Sequence, residues 1–195
     1  MNSVNIVELI KTTGINIDDT FYRKQVRARD ILLHAGETAR QLYFVISGCL
    51  RMYYVKEDGS EITSQFFIEN QGVSSFESAF TNSPSRAFID AIEDSTVYYI
   101  EVEELKKIIS KNDIIKEFFN EYIKQRLITY MNVHASFILD SPEQRYIRLI
   151  NEHPELITRI PQQYIATYLG ITPVSLSRIR KRLKELRRDC PAKGL

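Results

Sequence analysis

Cysteine is nearly absent from this 195-residue chain, with Cys49 and Cys190 the only two. Two thiols cannot build the disulfide framework of a small secreted fold, and both are read as free thiols. Long apolar runs are missing as well. Nowhere do about 18 apolar residues follow one another, and Met1 to Asp19 mix Asn, Glu, Lys and Asp with short apolar runs. Neither a signal peptide nor a membrane span is expected, which places the protein in the cytoplasm. Histidine is scarce too. His34, His134 and His153 fall in a turn, a long helical pattern and a helix end; they lack the short spacing of a metal site, so no metal is expected. There is no phosphate-cradling Gly-rich loop before a helix, no Gly-x-Ser-x-Gly elbow, and no paired His or Cys spacing of a catalytic kind. Glu93-Asp94 and Glu103-Glu104 suit turn and helix-start positions. No enzyme is expected and no catalytic residue is assigned.

What is present is concentrated near the C-terminus. The stretch from Gln162 to Lys181 has the spacing of a helix-turn-helix that ends in a basic second helix. Ala166 is small where two helices cross, Gly170 can take the positive φ of the turn, and Ile171 plugs it. Thr172 is placed to cap the second helix, and Pro173 suits a first helical position, whose N–H would have no partner. Leu176, Ile179, Leu183 and Leu186 recur at helical spacing as an inward stripe. The other faces carry the expected DNA contacts. Val174, Ser177 and Arg178 are placed to reach base edges, while Thr172 and Ser175 at the helix N-terminus, with Arg180, Lys181 and Arg182, are placed on phosphates. An ordinary amphipathic helix pair with a solvated basic face is the alternative.

Charge is partitioned in the same sense. The formal net charge is only +1, yet residues 1–140 hold 15 Lys+Arg against 20 Asp+Glu, and residues 141–195 hold 11 against 5. A basic C-terminal module beside an acidic body is the footprint of a phosphate-backbone binder. At 44% apolar content the chain suits one medium domain plus a small one.

From Phe21 to about Ile100, short β-rich runs alternate with turn signals: 31–33, 42–47, 50–55, 62–68, 87–92 and 96–100. Such spacing predicts an antiparallel barrel or jelly roll, with Glu57-Asp58-Gly59-Ser60 as a hairpin turn. After Val102 the period becomes helical, first to Ser110 and then from about Asn112 to Leu139. In the long helix Phe119, Ile123, Arg126, Tyr130, Val133 and Phe137 follow a coiled-coil rhythm in which only Arg126 is out of character. A second stripe, Leu127, Met131, His134 and Ile138, lies on an adjacent face. Dimerisation through this helix is expected, the alternative being a helix packed wholly within its own subunit. Asp140-Ser141-Pro142 then breaks the helix and marks a hinge. The boundaries are therefore 1–111 for the roll with flanking helices, 112–140 for the dimer helix and 141–195 for the DNA module.

This order of parts resembles the Crp/Fnr family of bacterial transcription regulators. The resemblance rests on His34-Ala-Gly-Glu37, Leu42-Tyr-Phe-Val-Ile-Ser-Gly48, Glu57-Asp-Gly59, Ile92-Glu-Asp-Ser95 and the stretch from Ile165 to Arg182, and it covers nearly the whole chain. It implies an α+β protein with an N-terminal β-roll (jelly roll), a dimerisation helix and an all-α helix-turn-helix domain. It also implies a homodimer on double-stranded DNA at a pseudo-palindromic site, with RNA polymerase and a small-molecule effector as further partners. Members commonly add a β-hairpin wing after the recognition helix; here Arg187 to Leu195 is too short for one, so the wing is expected to be lacking. An iron-sulfur cluster would need about four thiolates, which one chain cannot supply.

In cyclic-nucleotide-binding members a Gly-Glu pair holds the ribose and an Arg-Ser/Thr pair about ten residues later holds the phosphate. A carboxylate suits a sugar diol and a guanidinium suits a phosphate. In Ser74 to Ile89, Glu77 takes the ribose position, with Phe76 where the glycine belongs. Ungapped alignment of Ala87 to Ala91 puts Ser85 at the arginine position and Arg86 one residue beyond, which in an extended strand turns the guanidinium to the opposite face. The candidate effector pocket is thus Glu77, Ser78, Ser85 and Arg86, for a cyclic nucleotide, for another ligand, or vestigial. A sensing protein-interaction module without DNA binding is the second functional class.

Overall fold

The structure, a computed structural model, describes residues 20–189. Residues 1–19 and 190–195, and with them Cys190 and most of the segment expected to lack a wing, lie outside the described residues. Among the described residues the chain divides into two compact units, the first holding 20–60 and 64–129 and the second 61–63 and 130–189.

The roll is built from eight strands: β1 Tyr22–Val26, β2 Ile31–Leu33, β3 Gln41–Ser47, β4 Leu50–Val55, β5 Glu61–Phe67, β6 Gly72–Val73, β7 Phe88–Ala91 and β8 Ser95–Glu101. They form two four-stranded sheets in the orders β1-β8-β3-β6 and β2-β7-β4-β5, the expected jelly roll. Period-2 alternation explains the core. Leu50 pairs with Ala91 and Met52 with Ile89; these side chains meet Val26, Val45 and Val97 from the facing sheet in one apolar cluster. Residues between them, Arg51 and Asp90, take the opposite face. The other faces of β3 and β8 supply Phe44 and Ile100 to a second cluster with Phe21, Leu105 and Phe119, where two helices dock: α2 Val102–Lys111 and α3 Asp113–Leu139, with α1 Phe76–Thr81 inserted between β6 and β7.

Two turns show why the sequence folds this way. The 57–60 turn joins β4 to β5 as expected, with Lys56 N–H bonded to Ser60 O at 2.9 Å and Gly59 at φ +81°. At the β3–β4 corner Gly48 adopts φ +103°, and its N–H donates to Glu69 Oε1 at 2.9 Å. A side chain there would run into Ser95, whose Cα would lie 2.7 Å from an added Cβ. Strain and overlap act together, so Gly48→Ala should lower the unfolding free energy by about 3 kcal/mol, read from urea melts. An unchanged midpoint would mean that the corner opens freely.

The long helix α3 spans Asp113–Leu139, close to the expected 112–139, but its first stripe is divided. Phe119 is 8% exposed and sits in the roll's own core with Ile123 packed against it. Arg126, out of character in the sequence, places its guanidinium 5.4 Å over the Phe67 ring. Phe119 and Ile123 are therefore corrected from dimer seam to intrachain packing. Tyr130 stays exposed, Val133 is half-buried and Phe137 turns toward the helix-turn-helix. The second stripe is open along its length: Leu127, Met131 and Ile138 are 56%, 60% and 70% exposed, and His134 is exposed among them.

The second unit adds α4 Pro142–Glu152, α5 Pro154–Arg159, α6 Gln162–Tyr168 and α7 Pro173–Asp189. Ser141 and Gln144 form a reciprocal capping box at the start of α4. Among the described residues no helix is long and apolar enough to cross a membrane, and no cluster of His, Cys, Asp and Glu could hold a metal. Cys49 is buried and forms no disulfide among the described residues.

Candidate functional site

Helices α6 and α7 meet at Ala166 and Leu176, both fully buried. The turn between them is held by Leu169 N–H to Ile165 O at 3.0 Å, Gly170 N–H to Thr167 O at 3.1 Å and Ile171 N–H to Ala166 O at 3.0 Å, with Gly170 at φ +70°. Thr172 Oγ1 then accepts the Ser175 N–H at 3.2 Å and lies 3.0 Å from the Ser175 hydroxyl. This fixes the N-terminus of α7, where unpaired N–H groups favour an anion.

With Leu176 and Ile179 turned inward, the 100° step of the helix puts Val174, Arg178 and Lys181 at the centre of the outward face, with Ser177 beside them. All four are exposed, as is Thr172, whereas Ser175 and Arg180 are half-buried. Lys181 Nζ lies 4.0 Å from Glu185 Oε1, a loose pair one turn along. Arg182 differs from expectation. Its guanidinium is paired with Glu143 at the start of α4, so it braces α7 against α4 instead of standing free for phosphate. Leu186 is 58% exposed, and the inward stripe ends at Leu183.

In the roll, Glu77 on α1 and Arg86 on the segment before β7 line one cavity of about 300 Å³ together with Tyr54, Ser75 and Ala87. The expectation that Arg86 faces away is corrected. It assumed an extended strand, but β7 begins only at Phe88 and Arg86 sits in a bend, so strand alternation does not govern it. The adjacent Ser85 is pinned by Gly36 N–H to its carbonyl and by its own N–H to Glu37 O, each at 2.8 Å. Its buried hydroxyl bridges Ser75 Oγ and Ala87 O at 2.9 Å each. Ser78 is likewise buried, accepting the Ala39 N–H at 2.9 Å and donating to Ser83 O. Ser78 and Ser85 thus hold the loop together and do not line the cavity. Phe76 opens α1 and stacks on Phe80, ring centroids 4.4 Å apart, which takes its bulk away from the lining. Tyr54 and Ser75 went unsignalled in the sequence because nothing in their local pattern distinguishes a cavity wall from a strand end.

A smaller cavity of about 130 Å³ lies under Leu32, Glu37, Arg40 and Tyr43. Burial, with Glu101, Tyr99 and Glu37 nearby, pushes the Tyr43 hydroxyl up to about 12. That hydroxyl donates to Gln41 Oε1 at 2.6 Å, so it serves as a neutral structural donor.

Comparison with known proteins agrees with this geometry. Residues 23–112 match the family model of the cyclic nucleotide-binding domain. The chain as a whole shares its fold with solved bacterial regulators. It is 17% identical to a CooA mutant from Carboxydothermus hydrogenoformans, covering 94% of this chain and 85% of that one at a TM-score of 0.74. FixK2 from Bradyrhizobium japonicum is 18% identical, with 90% and 89% covered and a TM-score of 0.75. A transcriptional regulator of the Crp/Fnr family from Eubacterium rectale is 21% identical, with 89% and 85% covered and a TM-score of 0.70. No curated protein matches. The likeness is one of fold: a cyclic nucleotide-binding-like roll, a long helix and C-terminal helices in the Crp/Fnr arrangement.

Proposed function

We propose that this protein is a Crp/Fnr-type transcription regulator, and not an enzyme, that binds double-stranded DNA as a homodimer. The observation that carries this reading is the outward face of α7. Val174, Ser177, Arg178 and Lys181 stand exposed on a helix whose N-terminus is capped and whose opposite side is locked to α6. A second copy joins through the open α3 stripe, Leu127, Met131, His134 and Ile138, and sets two recognition helices in successive major grooves roughly 34 Å apart on a pseudo-palindromic operator. The domain division at about 111 and 140, and RNA polymerase as a further partner, belong to the same proposal.

Arg178 suits a guanine, because its fork of donors matches O6 and N7. Lys181 suits a phosphate. Arg178→Ala is expected to cost about 1–3 kcal/mol on the selected operator and to relax one position, while Lys181→Ala weakens all sequences and reduces the salt slope by about one. Fluorescence anisotropy on wild-type and single-base-variant duplexes separates the two. Uniform weakening by Arg178→Ala would remove its base-reading role.

The roll supports effector control. Glu77 and Arg86 place one acid and one base on a single cavity, a pairing that suits a ligand carrying hydroxyl groups and an anion, with a cyclic nucleotide as the first candidate. Titrating the protein onto duplex DNA enriched from a random pool, with and without cyclic AMP, tests the whole proposal. Tighter specific binding with the nucleotide supports the sensor; equal binding in both assigns the cavity to another ligand or none. Failure to enrich any duplex would favour a protein-interaction module.

A further inference from the structure

The junction between α3 and α4 was expected to be a hinge, and its chemistry is that of a clamp. Arg145, one turn into α4, reaches two helix ends at once. Its Nη1 donates to Asp140 O at 2.6 Å and lies 3.5 Å from Ser136 O, at the C-terminal end of α3. Its Nε and Nη2 donate to Leu169 O at 3.3 and 2.9 Å, at the end of α6. The guanidinium also stands 4.6 Å from the Phe137 ring centroid, and that ring packs on Gly170, where an added Cβ would come within 3.1 Å of it. Helix C-termini present carbonyls without intrahelical partners and carry partial negative charge. One planar cation with five donors answers two of them, which an ammonium group cannot do with the same geometry.

Other contacts point the same way. Arg148 pairs with Asp140 at 2.7 Å and Arg182 with Glu143, so α4 is bound to the end of α3 on one side and to α7 on the other. The compact unit that contains the helix-turn-helix accordingly takes in the last turns of α3, from Tyr130 on, together with residues 61–63.

We propose that Arg145 is a positioning residue, fixing recognition helix α7 to the last turns of α3 so that the direction of α3 dictates the direction of α7. The assignment presupposes the DNA-binding function above only in its second readout. The test places nitroxides at Asn132→Cys and Lys184→Cys in a Cys190→Ser background, with labelled chains diluted into unlabelled protein, and measures the distance distribution by pulsed electron resonance without DNA. Arg145→Ala should broaden a narrow distribution, and Arg145→Lys, which keeps the charge and loses the fork, should broaden it less.

On DNA, Arg145→Ala should lose roughly tenfold in specific over nonspecific affinity with the salt slope unchanged, since no phosphate contact is removed. A distribution as narrow in both variants as in the parent would overturn the proposal, whatever the DNA result. If Arg145→Ala does not fold, Arg145→Lys decides alone, a parent-like distribution again counting against the clamp. If the parent binds no DNA, the DNA-binding function fails while the distance measurement still decides the role of Arg145.

Discussion

If the proposed homodimer forms through α3, replacing Leu127 and Ile138 together by Glu is expected to leave a monomer and to lower affinity for the proposed operator by at least about a hundredfold, because two half-sites would then be bound independently. The two residues belong to the α3 stripe that the chain leaves open, at 56% and 70% exposure, with Met131 at 60% between them. Spacings of four, three and four through Leu127, Met131, His134 and Ile138 keep them on one face of the helix. Burying a Leu, Ile or Met side chain is worth about 1.5–3 kcal/mol, and a twofold axis counts each contribution twice. The double substitution removes that burial and sets four carboxylates near the axis. Sedimentation at micromolar protein reads the oligomer, and titration of full and half operators reads the consequence. A wild-type protein that sediments as a monomer, or a double variant that stays dimeric, would remove this stripe as the seam.

The second large effect concerns a pair inside the roll. Arg51 on β4 and Asp90 on β7 are cross-strand neighbours. Two hydrogen bonds join them, Nε to Oδ1 at 3.0 Å and Nη2 to Oδ2 at 2.6 Å, with side chains only 2% and 11% exposed. The Arg51 guanidinium also lies 4.0 Å from the Tyr53 ring centroid, and Tyr53 stacks on Phe88 at 5.1 Å. Removing one partner strands the other charge away from water. Arg51→Ala should therefore cost about 3–5 kcal/mol of stability, whereas the double replacement Arg51→Met with Asp90→Leu should recover most of it, because the buried acid leaves together with its base. Urea unfolding of both variants distinguishes the cases. A loss below about 1 kcal/mol in Arg51→Ala would show that Asp90 finds water or another donor.

Six of the strands could be read from the sequence to within a residue or two, since β2, β3, β4, β5, β7 and β8 are apolar runs between turn residues. Strand β1 could not. Tyr-Arg-Lys-Gln-Val shows no alternation, because β1 ends its sheet and exposes four of its five side chains. Strand β6 is only two residues long, and α1 and α5 are each six, too short for a period to declare itself. The helix-turn-helix was the most legible part, since Ala166, Gly170, Thr172 and Pro173 each answer a local constraint of the corner.

The long helix shows where periodicity stops being informative. It reports which residues share a face, and two stripes a fraction of a turn apart fit equally well until the roll claims Phe119 and Ile123. Arg86 failed for a related reason: facing was deduced from strand alternation in a segment that is bent. Arg145 carried no signal at all. Its partners are backbone carbonyls, which every sequence possesses, and only the folded path brings Asp140 and Leu169 to the same guanidinium.

The exposure of Glu77 and Arg86 on their cavity bears on time as well as on affinity. Both charged groups already stand in water, so an effector that pairs with them has no closed wall to wait for. Its arrival would run at ordinary encounter rates of about 10⁵–10⁷ M⁻¹s⁻¹, and its stay would be set by the strength of those contacts. For a weakly held effector, occupancy would therefore rise and decay with the effector's own concentration.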